Sequence, residues 1–393
     1  MPGHVGDSDP GALRQIATPR HVNARFPHGS NNRPDFSPPL LLTTPRPHYP
    51  GHVSGRLEVI AGMSDRLPLS ETGAYARRVE ALGFDVLHVP ETIHDSFSVA
   101  LLALEHTTRL RVQTSLTLAF PRSPMLVALQ SWDLSRMSGG RFDLGLGTQI
   151  RQNVEGRFGV PWRSPIPWMR DYVTTVRAAW HSFSTGERLD VRTDAYRLNR
   201  LQPFFDPGPL PHPGPRLWLG GINDGAIRLA AEAADGFVTH PTNSHPRFLR
   251  ERARPLLSAT KRDVVVATAS PIITGETVDD VRSSREAQRA VLAFLYSTPA
   301  YRRTLELFGW AEVGARLQEL TRHGHWDRLG SVLTDEHLDA LVPSATWSEL
   351  PEVISTWFGG LTDGILIQPP ADPADDRRFG DVVQRIATIS SSS

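Results

Sequence analysis

Cysteine is absent from all 393 residues. Its absence excludes disulfides, thiolate zinc sites, cysteine-held iron–sulfur clusters and a thiol nucleophile. An excess of one charge is missing too: Lys+Arg and Asp+Glu both number 42, so the formal net charge is zero. Nucleic acid and anionic membrane surfaces select a basic excess, and neither is expected as the main partner. No run approaches the roughly 20 apolar residues that cross a bilayer. The N-terminus also lacks the basic stretch and apolar run of a secretory signal. There is no Walker loop and no Gly-x-Ser-x-Gly elbow. What remains reads as a soluble, cytoplasmic protein that needs no oxidising compartment, with a hydrophobic content of 39% that supports a sizeable core.

Residues 1–55 stand apart. They hold 10 of the 33 prolines and 5 of the 15 histidines, without apolar periodicity. Such a segment buries too little apolar surface to offset its ordering entropy, and it reads as a disordered or extended arm. Residues 56–393 form one domain. Short apolar runs alternate with helical segments from Leu57 onward. The strands are expected at 57–61, 85–89, 111–118, 141–147, 216–221, 235–240, 263–274 and 363–368. Helices are expected near 70–82, 97–107, 124–137, 168–183, 224–234, 246–257 and 376–386, with a polar hairpin at 188–199. A helical insertion of about seventy residues separates the seventh and eighth strands. Eight strand-then-helix units predict an α/β fold, a (β/α)8 TIM barrel. An open doubly wound sheet shares the alternation, but the count stops at eight and no early glycine fingerprint appears.

A barrel of this kind works at the C-terminal ends of its strands. The residues expected there are Gly62, Met63, Glu91, Thr92, Ser115 to Thr117, Thr148, Gln149, Gly221 to Asn223, His240, Thr274 and Gln368. The loop PETIHD (90–95) places Glu91, His94 and Asp95 together, which suits acid/base work and equally suits an ordinary polar loop. GLGTQ (145–149) lacks the third glycine of a dinucleotide motif and reads better as a strand end that something approaches closely. LGGIND (219–224) opens a helix, where backbone N–H groups and the dipole favour a phosphate. Asp224 would lie beside that phosphate or cap the helix. The long connection after strand four offers Arg151 and Arg157 for an anionic tail. His323 and His325 lack a partner at zinc-ligand spacing, and no metal site is expected.

The runs EALGFDVLHVPETIHD, AFPRSPMLVALQSWDLSRMSGGRFDLGLGTQ and RFGVPW, with LGGIND, AEAADGFVTHP and STPAYRRTLELFGW, resemble the luciferase-like monooxygenase superfamily. They are most similar to its actinobacterial coenzyme F420-dependent oxidoreductases. The resemblance implies a barrel with an insertion, a homodimer, and a flavin or deazaflavin at the strand ends. It implies cofactor contacts from Thr114, Ser115 and Leu116 at a third-strand bulge that often holds a non-prolyl cis peptide. Thr148, Gln149 and Asn153 after strand four are implied too, as are Gly220, Gly221, Ile222 and Asn223 at the phosphate turn. Glu91 matches the acidic residue ending strand two and is implied as a cofactor contact as well. F420-dependent sugar-phosphate and alcohol dehydrogenases carry a histidine and a glutamate where Thr92 and Ile150 stand here. Their proton transfer is therefore not inherited, and His94 or His240 is left to replace it. The expected function is F420-dependent hydride transfer to or from a small organic substrate, with Glu91, His94 and His240 as catalytic candidates. The alternatives are a reduced-FMN-dependent monooxygenase and a non-catalytic barrel that binds a flavin or deazaflavin.

Overall fold

The computed structural model describes residues 55–392, and the arm expected over 1–55 lies outside them apart from Gly55. Eight parallel strands close into a barrel: β1 (Glu58–Ala61), β2 (Val86–Val89), β3 (Arg111–Thr114), β4 (Phe142–Gly147), β5 (Arg216–Gly221), β6 (Gly236–Thr239), β7 (Val265–Thr268) and β8 (Gly364–Ile367). Each strand pairs with the next in sequence, and β8 returns to β1 with Glu58 opposite Gly364. The expected (β/α)8 TIM barrel is present.

Alternation along each strand sorts side chains to two sides. Val59, Leu87, Val112, Leu144, Leu217 and Ile365 join the large core shared with the surrounding helices. Ile60, Val86, Trp218, Val238, Val265 and Ala267 form a separate cluster inside the barrel, with Leu116 and Leu366 packed against it. Trp218 fits because Gly236 lacks a side chain: a Cβ there would lie 2.2 Å from the indole.

The outer helices start and stop where short polar residues and glycines direct. Asp95 caps Ser96–Glu105 by accepting the Ser98 N–H at 2.9 Å. Pro124–Ser138 ends at Gly139, whose φ of 67° is left-handed. Two expectations need correction. The third strand is interrupted after Thr114 and resumes at Thr117–Leu118. The seventh stops at Thr268, so Thr274 is not at a barrel mouth: Ile273–Gly275 pairs with Ser344–Thr346 in a separate two-stranded sheet. A short helix, Arg151–Gly156, also stands in the connection after β4.

The helical insertion between β7 and β8 is present, running from Val278–Tyr296 to Asp335–Leu341 with its own core of Leu292, Leu305, Leu317, Leu329 and Leu338. It grips the loop after β6. The hydroxyls of Thr304 and Tyr296 donate to Thr242 O at 2.6 and 3.3 Å. Among the described residues no helix is long and apolar enough to cross a membrane.

Candidate active site

The break in β3 organises the C-terminal mouth of the barrel. The Ser115–Leu116 peptide is cis. The Leu116 side chain then turns over the ends of β4 and β5. A Cβ on Gly145, Gly147 or Gly220 would stand 2.9, 3.2 or 2.3 Å from Leu116. Gly147 and Gly220 therefore make room for this leucine, and Gly145 for both it and the Thr114 carbonyl, which a Cβ would meet at 2.0 Å. Thr114, named among the cofactor contacts, is fully buried, and its hydroxyl exchanges hydrogen bonds with Gly145 O and N at 3.0 and 2.9 Å. Its side chain holds β3 to β4 and has no face left for a ligand.

The loop after β2 reaches into the same region. Glu91 accepts the Leu118 N–H at 2.6 Å and pairs with Arg122. Burial raises the Glu91 pKa, while the Leu118 N–H and the Arg122 guanidinium oppose the rise. His94 lies apart from this pair, in a narrow cleft with Met63, Ser64, Asp65 and Pro90. Ile150 and Ile93 are exposed on the loops after β4 and β2. These loops are tied by Arg157, which donates to Thr92 O at 2.6 Å. Arg151 is spent on an exposed pair with Glu155. Both arginines are exposed, each with one partner already.

After β4, Thr148 and Asn153 are half-buried. Gln149 has a left-handed φ of 61°, uncommon for a residue with a side chain, and its amide oxygen accepts the Ile150 N–H at 2.8 Å. At the end of β5, the cap of Asp224–Ala233 is Asn223, not Asp224: Asn223 Oδ1 accepts the Ala226 N–H at 2.9 Å. Asp224 is the first helical residue and lies 3.5 Å from Arg252. Gly221 sits tight against the helix, since a Cβ there would meet Ala226 at 2.3 Å. The remaining first-turn N–H groups lack intrahelical partners, as at any helix start.

His240 follows β6. Its Nδ1 accepts the Thr242 N–H at 3.3 Å and lies 2.8 Å from the Thr242 hydroxyl. Tyr301, from the insertion, stacks on the imidazole at 4.3 Å. Burial lowers the His240 pKa to about 4, so the ring is neutral near pH 7. Asn243 Nδ2 donates to Ile222 O at 3.1 Å and joins this loop to the end of β5. Contacts thus join Glu91 to Leu118, Leu116 to Gly220, and Ile222 through Asn243 to His240.

Sequence reasoning missed Arg122, Thr242 and Tyr301. Arg122 carries a signal, as a lone charge in the otherwise apolar run after the third strand. Tyr301 sits 61 residues beyond His240 in number, and no local pattern announces their stacking.

Known proteins resemble this chain in sequence and in fold. An uncharacterized protein of Mycobacterium tuberculosis is 34% identical over 318 residues, covering 79% of this chain and 93% of that one. The 5,10-methylenetetrahydromethanopterin reductase of Archaeoglobus fulgidus is 26% identical over 298 residues, 72% of this chain and 84% of its own. The coenzyme F420-dependent tetrahydromethanopterin reductase of Methanopyrus kandleri shares the fold, with a TM-score of 0.67 at 16% identity over 85% of this chain and 99% of that one. Residues 46–363 match the luciferase-like monooxygenase family, and the chain belongs to it.

Proposed function

We propose that the chain is a coenzyme F420-dependent oxidoreductase exchanging a hydride between the deazaflavin and a small organic substrate. The observation that carries the reading is the wall at Leu116. Between β3, β4 and β5 the mouth offers main chain, one leucine and three glycines on which an added Cβ would crowd that leucine. That is a surface on which a flat ring stacks. The next strand end opens a helix whose dipole and first-turn N–H groups favour a phosphate. The residues fit a flavin-like group. Ser115, Leu116, Thr148 and Asn153 would hold its ring, and Gly220, Gly221, Ile222 and Asn223 its phosphate. The reductase relatives favour the deazaflavin.

When bound, the deazaflavin supplies or accepts the hydride. The chain's own residues manage the proton. His240 is neutral, with Nδ1 engaged by Thr242, and its Nε2 is the atom that would donate to or accept from a substrate oxygen. The Thr242 N–H donates to Nδ1, so the neutral ring carries its proton on Nε2. Tyr301 covers one face of the imidazole and keeps water from it. The Arg157–Thr92 bond holds two rim loops together over the mouth. This cytoplasmic enzyme would act as a homodimer.

A reduced-FMN-dependent monooxygenase is the second reading. It is favoured by the contacts of Arg151 with Glu155 and of Arg157 with Thr92 O, which a longer anionic tail would have to displace. Anaerobic turnover separates the two. Reduced F420 consumed only with an aldehyde, ketone or alkene supports the first. In air, oxygenation of the substrate with reduced FMN, and no F420 turnover, contradicts it. His240→Gln should lower turnover by about 10²–10⁴-fold with cofactor affinity unchanged, as for loss of a general acid/base. An equal loss of affinity and turnover would remove His240 from the proton step.

A further inference from the structure

The carboxylate ending β2 grips the loop after β3 with both of its oxygens. The Glu91 side chain is 9% exposed and that of Arg122 is 18%. Glu91 Oε2 accepts the Leu118 N–H at 2.6 Å and Arg122 Nη1 at 3.1 Å, while Oε1 pairs with Arg122 Nη2. Arg122 Nη1 also donates to Leu118 O at 3.1 Å, so both main-chain groups of Leu118 are held. The same guanidinium donates to Asp95 Oδ2 at 2.5 Å, and Asp95 caps the helix that follows. At that helix start, the Ser96 hydroxyl meets the Thr117 hydroxyl at 2.8 Å. Thr117 and Leu118 are the residues directly after the Ser115–Leu116 bulge.

A carboxylate that serves a substrate as acid or base needs an oxygen turned toward it. Here one oxygen takes two strong donors and the other faces the guanidinium. We infer that Glu91 and Arg122 are positioning residues: together they fix the bulge that seats Leu116 against Gly145, Gly147 and Gly220, and they act on a ring bound there only through that wall. The inference rests on the cofactor reading for its second readout alone.

The first readout uses cofactor-free protein. Amide exchange over residues 115–122 should quicken by about 10-fold in Glu91→Gln, the loss expected for one charge-assisted hydrogen bond. The other barrel strands should not change. Arg122→Gln should do the same, and the double variant no more than the larger single. Where a single leaves a buried charge and fails to fold, the uncharged double variant still gives the measurement. The second readout is binding of oxidised F420 and of FMN. Both singles should loosen the cofactor that wild type binds and change its induced circular dichroism alike. Unchanged exchange in both singles would overturn the inference. So would a Glu91→Gln variant that binds normally and loses turnover while Arg122→Gln keeps it, because Glu91 would then act on substrate. Wild type that binds neither cofactor would refute the cofactor reading, and the exchange result would still decide the clamp.

Discussion

His88 is 3% exposed inside the barrel, and burial lowers its pKa from 6.5 to about 4. The unfolded chain therefore takes up this proton before the folded one. Stability is fully present above the unfolded value of 6.5 and falls as pH drops toward 4, below which the loss levels off. For His88 the loss reaches about 3 kcal/mol. Burial lowers His240 and His245 in the same direction, so they add to the slope. Urea midpoints measured from pH 7 to pH 4 should fall, and His88→Gln should flatten part of that fall. A midpoint independent of pH over this window would contradict the buried neutral state. At this scale the sequence told half of the story. His240 was legible because it ends a strand in a barrel, where chemistry collects. Thr242 and Tyr301, which set its tautomer and cover its face, were not: the partnership with Tyr301 depends on how the insertion folds back. Glu91 was legible as a charged strand end, but its engagement by Arg122 required the loop geometry.

Helix Asp224–Ala233 offers the cleanest test of an element. A side chain at Gly221 would strike Ala226, so substitution there disturbs the fold along with any site. Asn223→Asp keeps an equally good cap and adds a negative charge where a phosphate would approach. Affinity for F420 or FMN should drop by about 10-fold or more, with the thermal midpoint unchanged or slightly raised. Unchanged affinity would remove the phosphate assignment. The elements themselves were largely readable. Short, continuous apolar runs mark strands buried on both faces, and all eight stand where those runs fall. The errors share a cause. VVVATASPIIT reads as one long apolar run, but Pro271 separates the barrel strand from a second sheet that needs Ser344–Thr346 as partner. Arg151–Gly156 is too short and too polar to show a period. Asn223 and Asp224 are both good caps, and only the backbone angles decide between them.

For the whole molecule, the barrel is closed at its N-terminal end by charges rather than by apolar side chains. Arg111 donates to both oxygens of Glu58 at 2.8 and 2.9 Å, and Arg216 pairs with Asp143, all four at most 3% exposed. Lys261 is the single lysine of the sequence, so every pair of this kind uses the planar arginine fork. Arg111→Met should cost about 3–5 kcal/mol by stripping that fork from Glu58, and adding Glu58→Leu should recover most of the loss. Equal stability of Arg111→Met and wild type in urea would show that the pair does not hold the barrel. Polar closure below and the glycine-bounded wall above leave the mouth as the place where a cofactor ring rests. The central claim is that this mouth binds a deazaflavin, and titration of the purified protein with F420 and FMN, each oxidised and reduced, tests it most directly. Tight binding of F420 with weak binding of FMN, both diminished by Asn223→Asp, is the predicted result. Preference for reduced FMN, or no binding of either cofactor, would contradict it.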